Sequence, residues 1–152
     1  MNYLVIVLIV LLALAPLWHF MPSKRQRRQA SLREQAALAG LFVEFRDIPL
    51  PPARKERLSA SERQVLYYGR RLPASRSEPR SRAVWWREGD AWSALPPGAP
   101  PPGIVADLPL AVLAIGVAED SCGIFWQEDG DAETVGVLVD LLACWHSSFC
   151  PP

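Results

Sequence analysis

Cys144, His146 and Cys150 crowd the end of this 152-residue chain, with Cys122 upstream. Together they would supply a Cys3His zinc set. Their spacing, C-x-H-x3-C, is that of no common finger or ribbon, and a tail ending in Pro-Pro is a poor scaffold. Cys122 with His146 would make a nucleophile and base, but the neighbouring Glu119 and Asp120 disfavour a thiolate there. Three cysteines, an odd number, in a reducing compartment point away from disulfides. No Gly-rich phosphate loop, H-E-x-x-H or G-x-S-x-G pattern occurs. The carboxylates between 128 and 133 are spaced as a turn and a helix cap, without the EF-hand pattern. The expectation is a non-enzymatic protein with no catalytic residue, cofactor or metal.

A second chemistry-bearing stretch is AVWWREGDAWSAL, 83–95. Gly89-Asp90 fits a two-residue type II′ turn. Pairing across it sets Glu88 opposite Ala91, Arg87 opposite Trp92 and Trp85 opposite Ala94. Trp85, Arg87 and Trp92 then share one face, with Arg87 over an indole, and Trp86 takes the other. That face is a candidate interaction surface, although burial in a core accounts for it equally well. A second candidate is the pair Val137 and Leu141 on the last helix.

These elements follow an unusual N-terminus. Asn2–Met21 carries no charge, and twenty residues at about 1.5 Å each match the roughly 30 Å of a bilayer's hydrocarbon core. Tyr3 and Trp18 sit where interfacial anchors would, with His19 beside Trp18 at the edge. Pro16 leaves the Leu12 carbonyl without its usual donor, so a bend is expected there. Little basic charge precedes the run and its only A-x-A site is followed by Pro16, so a retained anchor is expected rather than a cleaved leader. Lys24, Arg25, Arg27, Arg28 and Arg33 follow it. By the positive-inside rule they place the C-terminal domain in the cytoplasm of a bacterium and the N-terminus outside its inner membrane. The charge is just as lopsided along the whole chain. Residues 1–87 hold all sixteen Lys and Arg with six acids, and 88–152 hold ten acids alone, giving +10 and −10. Attraction between the halves of one domain is the simplest consequence.

The expected organisation is an anchor over 1–22, a basic juxtamembrane helix over 23–40 and a cytoplasmic domain over 41–152. Ser23 and Gln26 form a capping box, Gly40 suits the C′ position, and the basic turns should lie on anionic lipid. LFVEFRD, 41–47, alternates as a half-buried strand. QVLYYGRRL reads as a strand after a Ser59–Glu62 cap, and 49–57, 73–82 and 96–103 read as loops, the last two mobile. LAVLAIGVA, 110–118, is apolar on both faces, as a central strand is, and GIFWQE follows antiparallel to it. Asp131 caps a helix with stripes at Val135, Leu138, Val139, Leu142 and at Val137, Leu141, Cys144. The fold class is α+β: an N-terminal transmembrane helix, then a small, mostly antiparallel sheet with a basic juxtamembrane helix and a C-terminal helix.

The apolar start followed by PSKRQRRQASLREQAALAGL, together with LYYGRRLP and GIFWQEDGD, resembles a group of small bacterial inner-membrane proteins of unknown function. They are often labelled YajC-like preprotein translocase subunits. Similarity to YajC itself covers roughly the first thirty residues, and its glycine-rich segment has no counterpart after Gly40. The resemblance implies a single-pass protein acting through protein contacts at the membrane, with an ancillary role at the Sec translocon as the alternative. A Cys/His-dependent enzyme or metal binder is the remaining one. KRQRRQ, RKER and GRR are basic enough for nucleic acid, but the aromatics lie mostly in the acidic half and no RNP-type motif is present. Oligomeric state is not legible.

Overall fold

Three antiparallel hairpins build the domain, each closed where the sequence loses its apolar alternation. The computed structural model describes residues 2–14, 23–74 and 80–149. In it β1 (Phe42–Asp47) pairs with β2 (Gln64–Arg71), β3 (Ala83–Glu88) with β4 (Ala91–Leu95), and β5 (Val112–Val117) with β6 (Ser121–Trp126). The β5–β6 hairpin takes the centre, so the order is β1-β2-β6-β5-β3-β4 and every neighbouring pair is antiparallel. Centrality follows composition: nearly every residue of these two strands is buried, and none carries a charge. The fold is α+β around one six-stranded sheet.

The chain divides into two compact units, Met1–Ser31 and Leu32–Pro152. In the first, α1 runs over Asn2–Leu14 and exposes apolar side chains from Tyr3 to Leu12. Here the structure corrects the expected transmembrane helix. Thirteen residues make about 20 Å of helix against the roughly 30 Å of a hydrocarbon core. Among the described residues no helix is long and apolar enough to cross a membrane. Pro16, where a bend is expected, lies outside the described residues. Trp18 and His19 lie outside the described residues.

Helix α2 spans Lys24–Leu38. Its capping box is formed: Gln26 N–H donates to Ser23 Oγ (3.2 Å) and Ser23 N–H to Gln26 Oε1 (2.8 Å). Gly40, at φ +82°, ends it in the left-handed region. In the second unit Leu32 and Ala36 of this helix are buried in the main core, beside Leu66, Tyr68, Ile124 and Trp126 of one sheet face. Helix α5 (Ala132–Ser147) covers the same face with Val135, Leu138, Leu142 and Trp145. Its capping box joins Asp131 to Thr134, whose amide donates to Asp131 Oδ1 at 2.9 Å.

The opposite face carries a smaller core of Ile48, Val65, Tyr67, Trp86, Ala114 and Phe125. The segment from Ile48 to Leu58 lies on it, with Leu50 and Leu58 packed there. Two short helical turns interrupt that segment and its sequel, α3 (Pro52–Lys55) and α4 (Ala60–Arg63), the latter capped by Ser59 and Glu62. Of the two expected mobile loops, 73–82 falls partly outside the described residues, at 75–79. In the other, 96–103, Ala99 packs on the main core and its carbonyl accepts from Trp85 Nε1 at 3.2 Å.

Candidate interaction surfaces

The basic residues foreseen as one membrane-facing group separate into two environments. Lys24, Arg25, Arg27 and Arg28 are exposed on the first unit, as is Tyr3. Lys24, Arg25 and Arg27 form no ion pair among the described residues. Arg33 differs from them in having a partner within the second unit. It sits one residue after the buried Leu32, so its guanidinium turns to the domain and grips Glu128 with two bonds, Nε to Oε1 at 2.8 Å and Nη2 to Oε2 at 2.6 Å. Tyr68 Oη donates to the same carboxylate at 2.9 Å. Glu128 is buried and adopts φ +53°, a left-handed position that turns its side chain in beside these donors. Hydrogen bonding to Glu128 raises the Arg33 pKa above its ordinary value. Burial first, then the Glu128 charge, raise that of Tyr68.

The hairpin motif has the foreseen register, with Arg87 opposite Trp92, Trp85 opposite Ala94 and Trp86 on the far face. Gly89 has the positive φ, +62°, that a type II′ turn requires at its first central position. The Arg87 guanidinium stands 4.9 Å from the Trp92 ring centroid. It also donates to the carbonyls of Val112, Leu108 and Pro109 at 3.3, 3.2 and 3.3 Å. Arg87 thus clamps the chain entering β5 through its Nε and Nη2. Trp85 is buried against Trp145. Only Trp92 of the three keeps a half-exposed ring at an accessible sheet edge.

Of the α5 pair, Val137 is 42% exposed. Leu141 borders an apolar groove of about 540 Å³ that also reaches Trp85, Ile104, Trp145 and Phe149. Cys144 opens onto that groove, whereas Cys122 is fully buried beneath α5, away from any solvent-borne substrate. His146 Nε2 lies 3.1 Å from the Arg71 carbonyl and donates to it. Among the described residues no three His, Cys, Asp or Glu side chains gather as a metal site, and Cys150 lies outside them.

Sequence reasoning missed the groove on the second sheet face. Gly69 faces Gly123 across β2–β6, and Gly123 faces Gly116 across β6–β5, so three glycines form one row over the central strands. The Tyr67 ring lies across the row: a Cβ on Gly123 would come within 2.5 Å of its Cζ. Over Gly116 a cavity of about 360 Å³ opens between Tyr67, Phe125 and Val84, with Arg46, Arg82 and Asp120 at its rim. Arg46 stacks 4.0 Å from the Tyr67 centroid and pairs with Glu44. Asp120 pairs with Arg71 at 2.8 Å, and its pKa is held below the usual range by the Ser121 hydroxyl. Arg82 has no ion pair among the described residues. Two flat rings, a glycine floor and guanidinium walls make a surface for contact and stacking. The row was findable only with the register in hand, since Gly69 and Gly116 lie far apart along the chain and meet only through Gly123.

The chain matches no protein-family model, and no curated protein and no solved structure is significantly similar to it.

Proposed function

We propose that this protein is a non-enzymatic interaction module held at an anionic membrane surface, acting through protein contacts on the cytoplasmic side. The supporting observation is the first unit. An apolar, exposed helix is followed in the sequence by four exposed bases, three of them without a counter-ion among the described residues. Helix α1 is apolar on every side, so it would enter the hydrocarbon rather than lie along the headgroups, to a depth of about 20 Å. Each base beside an anionic leaflet contributes about 1 kcal/mol, so four add roughly 4 kcal/mol, close to a thousandfold in partitioning. The second unit supports the interaction part of the reading, because its open features are ring-lined grooves, one of them flanked by guanidiniums.

Vesicle flotation of the full chain tests it. Arg25→Glu, Arg27→Glu and Arg28→Glu together should weaken binding to vesicles containing phosphatidylserine or phosphatidylglycerol by at least a hundredfold. Binding to neutral phosphatidylcholine should change little. Equal binding to both lipids would remove the electrostatic part, and a protein that stays in the aqueous fraction with anionic vesicles would remove the whole reading.

A further inference from the structure

The two edges of the sheet are built differently. Edge strand β1 carries Glu44, Arg46 and Asp47, charges of the kind that discourage strand addition. Edge strand β4 reads Ala-Trp-Ser-Ala-Leu, with no charge and no proline, and every residue in it is half-buried or exposed. In a two-residue hairpin the pair flanking the turn, Glu88 and Ala91, is the hydrogen-bonded one. Alternation then directs the N–H and C=O of Ala91, Ser93 and Leu95 to β3, and those of Trp92 and Ala94 away from the sheet. Neither Trp92 nor Ala94 makes a main-chain bond on that outer side among the described residues. Two donors and two acceptors therefore stand unpaired in a row.

From this strand we infer that β4 is a self-association edge, whose partner is the β4 of a second copy of this chain in antiparallel register about a two-fold axis at Ser93. The sequence of the strand is complementary to its own reverse. With Ser93 opposite Ser93, Trp92 falls opposite Ala94 and Ala91 opposite Leu95, each pair occurring twice by symmetry. Trp92 and Ala94 are the two outward-bonding residues, so each such pair exchanges both of its bonds, four in all. Opposed residues share a face, which sets a large side chain over a small one on either side of the central Ser93 pair: the half-exposed Trp92 over Ala94, and Leu95, 52% exposed, over Ala91. No charge meets a like charge at any position. Any other antiparallel register that keeps Trp92 and Ala94 paired outward sets Trp92 against Trp92 or Ala94 against Ala94 and leaves the remaining groups unmatched. An unrelated extended peptide would satisfy the backbone groups, but the alternation of large and small residues is matched in full by this strand's own reverse. The inference names a partner for the interaction module and does not depend on its membrane attachment.

Sedimentation of the full chain in mild detergent should show a concentration-dependent dimer. Leu95→Lys, at an exposed position, should raise the dissociation constant at least tenfold while circular dichroism and vesicle binding stay unchanged. Ser93→Cys provides an independent reading. Residues facing each other across the axis without mutual hydrogen bonds bring their Cβ atoms to roughly 4.5–5.5 Å, near the separation a disulfide spans. In a chain with Cys144→Ser and Cys150→Ser, it should give a disulfide-linked dimer under mild oxidant, and Ser61→Cys, exposed on α4, should not. A Ser93→Cys protein that stays uncrosslinked, or a Leu95→Lys protein that dimerises as the parent does, overturns the inference. Flotation with anionic vesicles failing while crosslinking succeeds would remove the membrane reading and leave this one standing.

Discussion

At the scale of single residues, glycine acts in this domain mainly by what it leaves out. A Cβ on Gly123 would stand 2.5 Å from both the Tyr68 carbonyl and the Tyr67 ring, and one of those two neighbours is main chain that cannot swing aside. Gly123→Ala should therefore destabilise the domain by about 1–3 kcal/mol, the range for overpacking, measured by urea denaturation. Gly136 is the control. It lies in the interior of α5, where an added Cβ would meet nothing within 4 Å. Gly136→Ala should stabilise by roughly 0.5–1 kcal/mol through helix propensity. Equal effects at the two positions would refute the close-packed row. Sequence alone shows three glycines inside apolar strands; only pairing shows that they are one feature.

At the scale of elements, the attachment of α2 to the sheet turns on one carboxylate. Glu128 accepts two bonds from Arg33 and one from Tyr68, and its side chain is 1% exposed while that of Arg33 is 35% exposed. Taking away one member of a buried pair costs about 3–5 kcal/mol, and the partial hydration left to Arg33 favours the lower end. Glu128→Ala should thus lose about 3 kcal/mol. Amide hydrogen exchange should rise in the last turns of α2, around Leu32–Leu38, before it rises in β5 or β6. Exchange that rises uniformly would mean that the helix and sheet open as one unit. In the sequence Glu128 looks like one more acid of a loop, because nothing local marks its left-handed backbone or its partner 95 positions upstream.

At the scale of the whole molecule, the opposed charge of the two halves is partly neutralised inside the fold. Arg33 with Glu128, Arg54 with Glu88, and Arg71 with Asp120 each join a base before position 88 to an acid from 88 onward. The exposed pairs among these contribute little individually. Stability at high pH depends instead on two buried phenols. Burial lifts Tyr67 from its ordinary value to about 12, with Ser121 and Arg46 opposing in part. Tyr68 is lifted as well. Below pH 10 both are neutral in the folded and unfolded chain alike, so the fold keeps its full stability there. As pH climbs from 10 to 12, the unfolded chain gives up those protons and the folded one retains them. Stability should fall by up to about 1.4 kcal/mol per pH unit for each phenol. Tyr67→Phe should flatten that alkaline slope, read from urea midpoints at pH 9 to 12. An unchanged slope would show that the phenol is already ionised, or hydrated, in the folded state.

Local signals read directly along the chain were enough for the helix caps at Ser23, Ser59 and Asp131, the Gly89-Asp90 hairpin and its register, and an apolar strand within 110–118. Each rests on residues a few positions apart, where backbone geometry translates spacing into contact. The transmembrane helix expected from hydropathy over Asn2–Met21 is not found: the described apolar helix covers Asn2–Leu14, and among the described residues no helix is long and apolar enough to cross a membrane. The pairing of Arg33 with Glu128 was not legible either, because Arg33 looks like its basic neighbours and its partner is distant in sequence. The glycine row, the Glu128 cluster and the uncovered edge of β4 exist only once the strand order is set, because each is a relation between segments that chain proximity never brings together.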